Sequence, residues 1–414
     1  MRIVVYPHSM EIGGSQKNAI DIAGALQAKG HEVVVFGPSG PLVDLLAERG
    51  LRHEPAPRPR SRPSPAVMTR LCHVVEGMNA DVVHGFEWPP AVEAVFGPYR
   101  TLNVPAVCSV MSMSVAPFLP SWLPLTVGTE SILRSELAKR PRVALLEPPV
   151  DTRWDRPIDQ RASKARLGLD AGTLVVSVVS RLATELKREG ILTAIAAVGL
   201  LAAELSVRLV IAGDGPARAE VESAARRVNA AAGADVVRLT GDLADPRRVY
   251  DAADVALGMG GSALRAMAFG KPLVVQGERG FWRLLEPGSL PEFVGRGWFG
   301  IGDGGDGAQR LAAILRPLLA DASLRHGLGN FSRATVETRY SLDAATEKLE
   351  GFYADAIGRH RAEPRALSRL VRPYFSVTRY ELDRKVRRRL GGVVSDDFNS
   401  IAAMLAQNQR GPSQ

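Results

Sequence analysis

Cysteine is almost missing from this sequence. Only Cys72 and Cys108 occur in 414 residues, far apart and without metal-ligand spacing, which argues against a disulfide framework or a zinc scaffold and fits a reducing compartment. No apolar run reaches the roughly 20 residues that a membrane-crossing helix needs. The amino-terminal stretch MRIVVYPHSMEIGG lacks the apolar length and small-residue cleavage pattern of a signal peptide, so a cytoplasmic location is expected. What is present is ordinary globular composition, 46% hydrophobic and 23% charged, in a chain long enough for two or three domains. The net charge of +8 is placed unevenly: residues 361–390 hold ten basic against three acidic residues, or seven of the eight excess charges. The body of the chain is therefore near neutral.

The densest pattern runs from Leu174 to Pro216. An apolar run at 174–179, a turn carrying Arg181 and Lys187, a helix-length segment and a second apolar run at 207–212 closing on Gly213-Asp214-Gly215-Pro216 form a βαβ unit. Such a unit favours a parallel sheet with helices packed on it. Ligands of these sheets bind beyond the carboxyl ends of the strands, where Arg181 and Lys187 fall, and two cations at that edge suit a diphosphate. Further strands are expected near 235–239, 254–257 and 272–275.

The first part of the chain repeats the plan, with strands at 2–6, 32–36, 81–84 and 105–110 and a last one opening the segment 143–151. Gly13 and Gly14 follow the first strand and precede a helical pattern of Ala19, Ile22, Ala23 and Leu26. Backbone N–H groups and a helix N-terminus would face an anionic ligand there. His84 ends a strand on the expected ligand side. Residues 55–65, PAPRPRSRPSP, read as an exposed irregular loop, and Thr152 to Ala165 as a charged linker. The expected fold class is α/β: two Rossmann-like doubly wound domains facing a cleft, followed by a C-terminal extension.

In chain order, GGSQ at 13–16, DVVH at 81–84, PPVD at 148–151, SRL at 180–182 with Lys187 and Gly190, AGDGP at 212–216 and ALRAMAFGKPLVV at 263–275 stand out. Together they resemble the retaining glycosyltransferases of family 4, group 1, which have the GT-B fold. The resemblance spans about residues 1–360 and implies an N-terminal acceptor domain over 1–155 completed by a crossover helix at 341–358. It further implies a nucleotide-sugar domain over 166–340, leaving 360–414 as a basic extension. A nucleotide diphosphate sugar is the implied donor and a small-molecule or lipid-linked species the acceptor, with no metal and no cofactor. Arg181 and Lys187 then hold the diphosphate and counter the charge growing on the leaving group. Gly13, Gly14 and Gly213 fall on the donor side, and Ser15, Gln16, His84 and Met111 on the acceptor side.

The chain also departs from this pattern. Family members carry two glutamates eight positions apart beside the corresponding helix, whereas here DVALGMGGSALRAMAFG places Arg265 at the second of them and shortens the loop to 258–262. Arginine cannot accept hydrogen bonds from ribose hydroxyls. Arg265 would pair with a phosphate instead, Gly260, Gly261 and Ser262 would offer N–H groups to phosphate or sugar oxygens, and Glu278 would take a ribose or sugar hydroxyl or cap a turn. Met111 stands where a histidine is common. Two other readings remain: a binding protein that keeps the diphosphate site without turnover, and a nucleotide-sugar epimerase on the same fold, against which the scarcity of matched carboxylates speaks. The block 361–390 mixes arginines with Tyr374, Phe375 and Tyr380, a pattern that suits an anionic membrane surface or a subunit contact; nucleic acid is the less favoured partner.

Overall fold

The computed structural model describes residues 1–11, 13–243, 245–362, 367–390 and 398. The chain divides into two compact units, one made of Met1–Pro149 with the described residues from Leu342, the other of Val150–Ser341. The first is built on strands β1 (Arg2–Tyr6), β2 (Glu32–Gly37), β3 (Arg52–Pro55), β4 (Val82–Phe86), β5 (Ala106–Val110), β6 (Leu125–Val127) and β7 (Val143–Leu145). All pair in parallel, in the order β3-β2-β1-β4-β5-β6-β7. The second holds β8 (Leu174–Val179), β9 (Val207–Ala212), β10 (Val237–Gly241), β11 (Val255–Gly258), β12 (Leu273–Gln276) and β13 (Trp282–Leu284). Their order is β10-β9-β8-β11-β12-β13, with only β13 antiparallel. In both sheets the order reverses beside the first strand, between β1 and β4 and between β8 and β11, and these switch points are where doubly wound sheets bind ligands.

The central strands are apolar at almost every position because both faces of each sheet are covered. In β1, Ile3 and Val5 share a core with Ala19, Ile22 and Leu26 of helix Gly14–Ala28, while Val4 and Tyr6 share the opposite one with Val67, Leu71 and Val74 of helix Pro65–Gly77. Helix Leu342–Ala362, which follows the whole second unit in sequence, completes the first of these cores with Leu342, Ala345, Leu349 and Tyr353. The first unit is thus discontinuous. In the second unit, Val176 and Val178 lie with Ile191, Ile195 and Val198 of helix Arg188–Leu201, and Val175 with Val210 and Val249 on the other face.

Three strands were not expected from sequence. β3 (RHEP), β6 (LTV) and β13 (WRL) are short, and none carries a long apolar run. The expected linker is also corrected, because residues 150–165 belong to the second unit. Helix Gln160–Arg166 is capped by Asp159, whose Oδ1 accepts from Ala162 N at 2.9 Å. The buried Asp251 accepts from Ile158 N and Asp159 N at 2.9 Å each and from Ser163 Oγ at 2.6 Å. Lys164, charged and so read as a linker residue, is itself buried and donates to Asp254 Oδ2 at 2.8 Å.

The proline-rich loop also differs from a solvated connector. Arg62 reaches inward to the fully buried carboxylate of Glu93, which also accepts from Tyr6 Oη at 2.5 Å and Ser64 N at 3.2 Å. Burial pushes the Glu93 carboxyl upward, and Arg62 with its hydrogen-bond donors opposes that shift. Removing one partner would strand a buried charge. Glu93→Ala is therefore expected to destabilise the protein by about 3–5 kcal/mol, and Arg62→Ala combined with Glu93→Ala by less than the sum of the single changes. Urea unfolding of the three variants measures both.

Candidate functional site

In the first unit, β1, β4 and β5 end side by side at the switch point. A Cβ at Gly13 would stand 2.4 Å from Gln16 Oε1, so this glycine makes room for the Gln16 side chain, whereas Gly14 has open space at the same position. Gln16 faces its own loop: Nε2 donates to Ser9 Oγ at 2.9 Å and lies 3.0 Å from His8 Nε2. It is largely buried against its own loop. The expectation for His84 is corrected. It is fully buried in β4, with Nδ1 paired to Tyr353 Oη at 2.6 Å and Nε2 to Ser109 Oγ at 2.7 Å. Burial pushes its pKa down to about 3, so the ring is a neutral part of the core.

The residue that sequence reasoning missed is Glu87, immediately after β4. Its backbone sits at φ 71° and ψ 173°, a region almost confined to glycine and costly for a side chain to hold. Its carboxylate accepts from three neutral donors: Ser15 Oγ and Met111 N donate to Oε1 at 3.2 and 2.9 Å, and Ser112 Oγ donates to Oε2 at 2.7 Å. Two expected acceptor-side residues, Ser15 and Met111, are thus brought together by an acid that no motif flagged. Its signal was positional: a carboxylate on the residue that leaves a central strand at the switch point. A cavity of about 730 Å³ lies elsewhere in this unit, lined by Arg2, Asp81 and Pro105 at the amino ends of the strands.

In the second unit, Arg181 and Lys187 follow β8. Gly213 and Gly215 take φ values of 136° and 153°, and a Cβ at either would stand 2.0 Å from Ser180 O or 2.6 Å from Leu182 O. The glycine loop therefore presses directly on the backbone at 180–182, fixed by Ser180 N donating to Ala212 O at 2.9 Å and Leu182 N to Asp214 O at 2.8 Å. Gly213 has this packing role where a donor contact was expected. Arg181 emerges exposed from the pinned segment. Lys187 is half-buried, and burial, with Arg181 nearby, holds its ammonium down to about 8. Neither side chain has an ion-pair or hydrogen-bond partner among the described residues.

The loop between the two cations is tied to the segment after β12. Leu186, at φ 65°, donates its N–H to Glu278 Oε1 at 3.1 Å. Glu189 accepts from Arg279 N and Gly280 N at 3.1 and 2.7 Å. Glu278 thus braces the Lys187 loop, and burial, with Glu189 and Glu185 nearby, raises its pKa. Beyond β11, Gly260 has φ 53° and precedes helix Gly261–Ala268, and both Gly260 and Gly261 have open space where a Cβ would stand. Ser262 Oγ donates to Met259 O at 3.0 Å and so closes its own turn. Arg265, expected to meet a phosphate, lies with Nε 3.3 Å from Asp155 Oδ2. The four site residues between β11 and β12 therefore offer two glycines with open space beside them, a turn-closing serine and an arginine already facing a carboxylate.

Comparison with known proteins agrees with this architecture. A model described as Glycosyltransferase Family 4 matches residues 12–146, and one described as Glycosyl transferases group 1 matches residues 173–321. A GDP-mannose-dependent alpha-mannosyltransferase from Mycobacterium tuberculosis is 30% identical over 260 residues, covering 54% of this chain and 65% of that protein. The match thus spans just under two thirds of the relative's length. A glycosyltransferase from Rickettsia africae superposes with a TM-score of 0.69 at 14% identity, over 86% of this chain and 98% of that one. The Anabaena protein HepE, solved in complex with UDP-glucose, gives 0.68 at 16% identity over 86% and 100%. At these identities the structural likeness speaks for the fold alone. With the two models matched in order over residues 12–146 and 173–321, on two doubly wound units, the chain belongs to the family 4, group 1 glycosyltransferases of GT-B fold.

Proposed function

We propose that this protein transfers a sugar from a nucleotide diphosphate donor to a small-molecule or lipid-linked acceptor hydroxyl, with retention of configuration and without a metal. The observation that carries the reading is the pair Arg181 and Lys187 at the carboxyl end of β8, two cations with no counter-ion among the described residues. A diphosphate supplies the missing charge. In the reaction the bond from the sugar C1 to the diphosphate oxygen breaks and the acceptor oxygen bonds to C1 on the same face. The acceptor proton passes to the departing phosphate oxygen, so no protein base is required. Arg181 and Lys187 stabilise the charge that grows on that leaving group. The Gly260 N–H is engaged by Trp298 O at 3.0 Å, which leaves the Gly261 N–H at the start of the helix to suit a phosphate or sugar oxygen. Glu87 holds Ser15 and the backbone at Met111 in place on the acceptor side.

The Mycobacterium tuberculosis relative is named for GDP-mannose and the Anabaena structure holds UDP-glucose, so GDP- and UDP-hexoses lead the donor panel. A ligand that binds only the folded protein raises its melting temperature. A shift with one nucleoside diphosphate, followed by sugar transfer from the matching donor, is the expected result. Saturable binding with no turnover on any acceptor would instead favour the silent binding protein.

Three outcomes follow from the geometry. Arg181→Ala and Lys187→Ala should each lower kcat/KM by about 10²–10³-fold and weaken nucleoside diphosphate binding; unchanged affinity in both would remove the basis of the assignment. Lys187 is charged in the free protein below about pH 8, and a bound diphosphate favours the charged form. Affinity should therefore be fullest below that pH and fall as pH rises through it, by up to about tenfold per unit. Lys187→Arg, which stays protonated, should flatten that profile in calorimetric titrations. Glu87→Gln should raise the acceptor KM by about tenfold, the loss of one charged hydrogen bond, while leaving nucleoside diphosphate affinity unchanged, as steady-state kinetics and melting shifts would report.

A further inference from the structure

Helix Val371–Arg389 has two apolar faces, and among the described residues only one of them has a partner. On the inner side Val377, with Leu370 of the turn just before the helix, joins the core of the first unit. Tyr380 packs 5.0 Å from the Phe118 ring and 5.7 Å from Trp88, and Tyr374 meets Phe96 at 5.4 Å. On the outer side Val371, Phe375, Leu382 and Val386, continued by Leu390, are between 53% and 81% exposed. At about 100° per residue these five positions fall within a stripe with an arc of roughly 100°, shared only with Arg372, Arg379 and Arg389 towards its two edges.

The charges around the stripe indicate what covers it. Arg372, Arg379, Lys385, Arg387 and Arg389 are exposed on this helix, and Asp383 is the single exposed acid on it. None of the five cations has an ion-pair partner among the described residues. By helical position, Arg372 and Arg379 run along one margin of the stripe and Lys385 and Arg389 along the other. A second copy of the chain meeting this face would bring like charges together. A nucleic-acid duplex would use the cations and leave Phe375, Leu382 and Val386 in water. A bilayer with anionic headgroups uses both features, since apolar residues enter the headgroup boundary while arginine and lysine stems extend to the phosphates.

We propose that helix Val371–Arg389 docks flat on an anionic lipid surface, with Val371, Phe375, Leu382 and Val386 in the interface and Arg372, Arg379, Lys385 and Arg389 at headgroup level. This helix lies outside the residues matched by either family model and in a different unit from Arg181 and Lys187. The docking therefore stands whether or not the transfer reading holds. Where that reading does hold, the docking selects lipid-linked acceptors over soluble ones.

The test is co-sedimentation of the full chain with vesicles of phosphatidylcholine alone and of phosphatidylcholine containing about 30% phosphatidylglycerol. Retention at least tenfold stronger on the anionic vesicles, weakening as salt is raised, is expected. The triple variant Phe375→Ser, Leu382→Ser, Val386→Ser should lose at least tenfold of that retention at an unchanged melting temperature. Changing Arg372, Arg379, Lys385 and Arg389 to Gln should abolish the preference for anionic vesicles and serves as an independent probe if the triple variant folds poorly. Retention that is absent on anionic vesicles, or equal for wild type and both variants, would overturn the proposal. So would a dimer that the triple variant converts to monomer, which assigns the face to a second copy, or binding to duplex DNA without binding to vesicles.

Discussion

Backbone pressed against backbone sets the chemistry of the second unit. The carbonyls of Ser180 and Leu182 occupy the space that side chains at 213 and 215 would need, so the two loops approach as only glycine allows. Arg181 lies between those carbonyls and is directed by the main chain alone, which leaves its guanidinium free of structural duty. Lys187 stands at the end of the same loop, braced by Glu278 through the Leu186 N–H. A half-buried ammonium without a carboxylate partner is costly to keep charged, and its pKa near 8 records that cost. An anion placed beside it would relieve that cost.

Charge is otherwise handled conservatively. Glu93 is closed off by Arg62, Tyr6 and the Ser64 N–H, Lys164 by Asp254, and Arg265 faces Asp155. Glu87 accepts from three neutral donors. Against this background the unmatched cations stand out. Besides scattered surface cations such as Arg58, Arg134, Arg166 and Lys348, they include Arg181 with Lys187 beyond β8 and the arginines and lysine along helix Val371–Arg389.

The central strands could be read from sequence because burial on both faces leaves them nearly uninterrupted in Val, Ile and Leu, and the glycine turns because their spacing from the strands follows the βαβ plan. The short strands β3, β6 and β13 lacked that signature. Polar residues were harder, for a physical reason: the role of such a side chain depends on what stands opposite in space. His84 ends a motif like a ligand-facing residue, yet Tyr353 and Ser109 occupy both its nitrogens from positions far along the chain. Arg62 and Lys164 look like surface charges until Glu93 and Asp254 are placed beside them. Glu87 gave no compositional cue at all, and its importance lies in a backbone conformation that no residue pattern announces.

The bond from His84 to Tyr353 also joins two parts of the polypeptide made at very different moments of synthesis. β4 and its neighbours leave the ribosome early, but the helix that covers Val5, Val35 and Val82 on that face comes from residues 342–362. The whole of Val150–Ser341 is translated in between and has every element of its own cores. The later-made unit can therefore close first, while the earlier one waits with one of its two sheet faces only partly covered by helix Gly14–Ala28. Such a nascent surface is prone to non-native association, which makes the interval before Tyr353 emerges the vulnerable stage in the life of this chain.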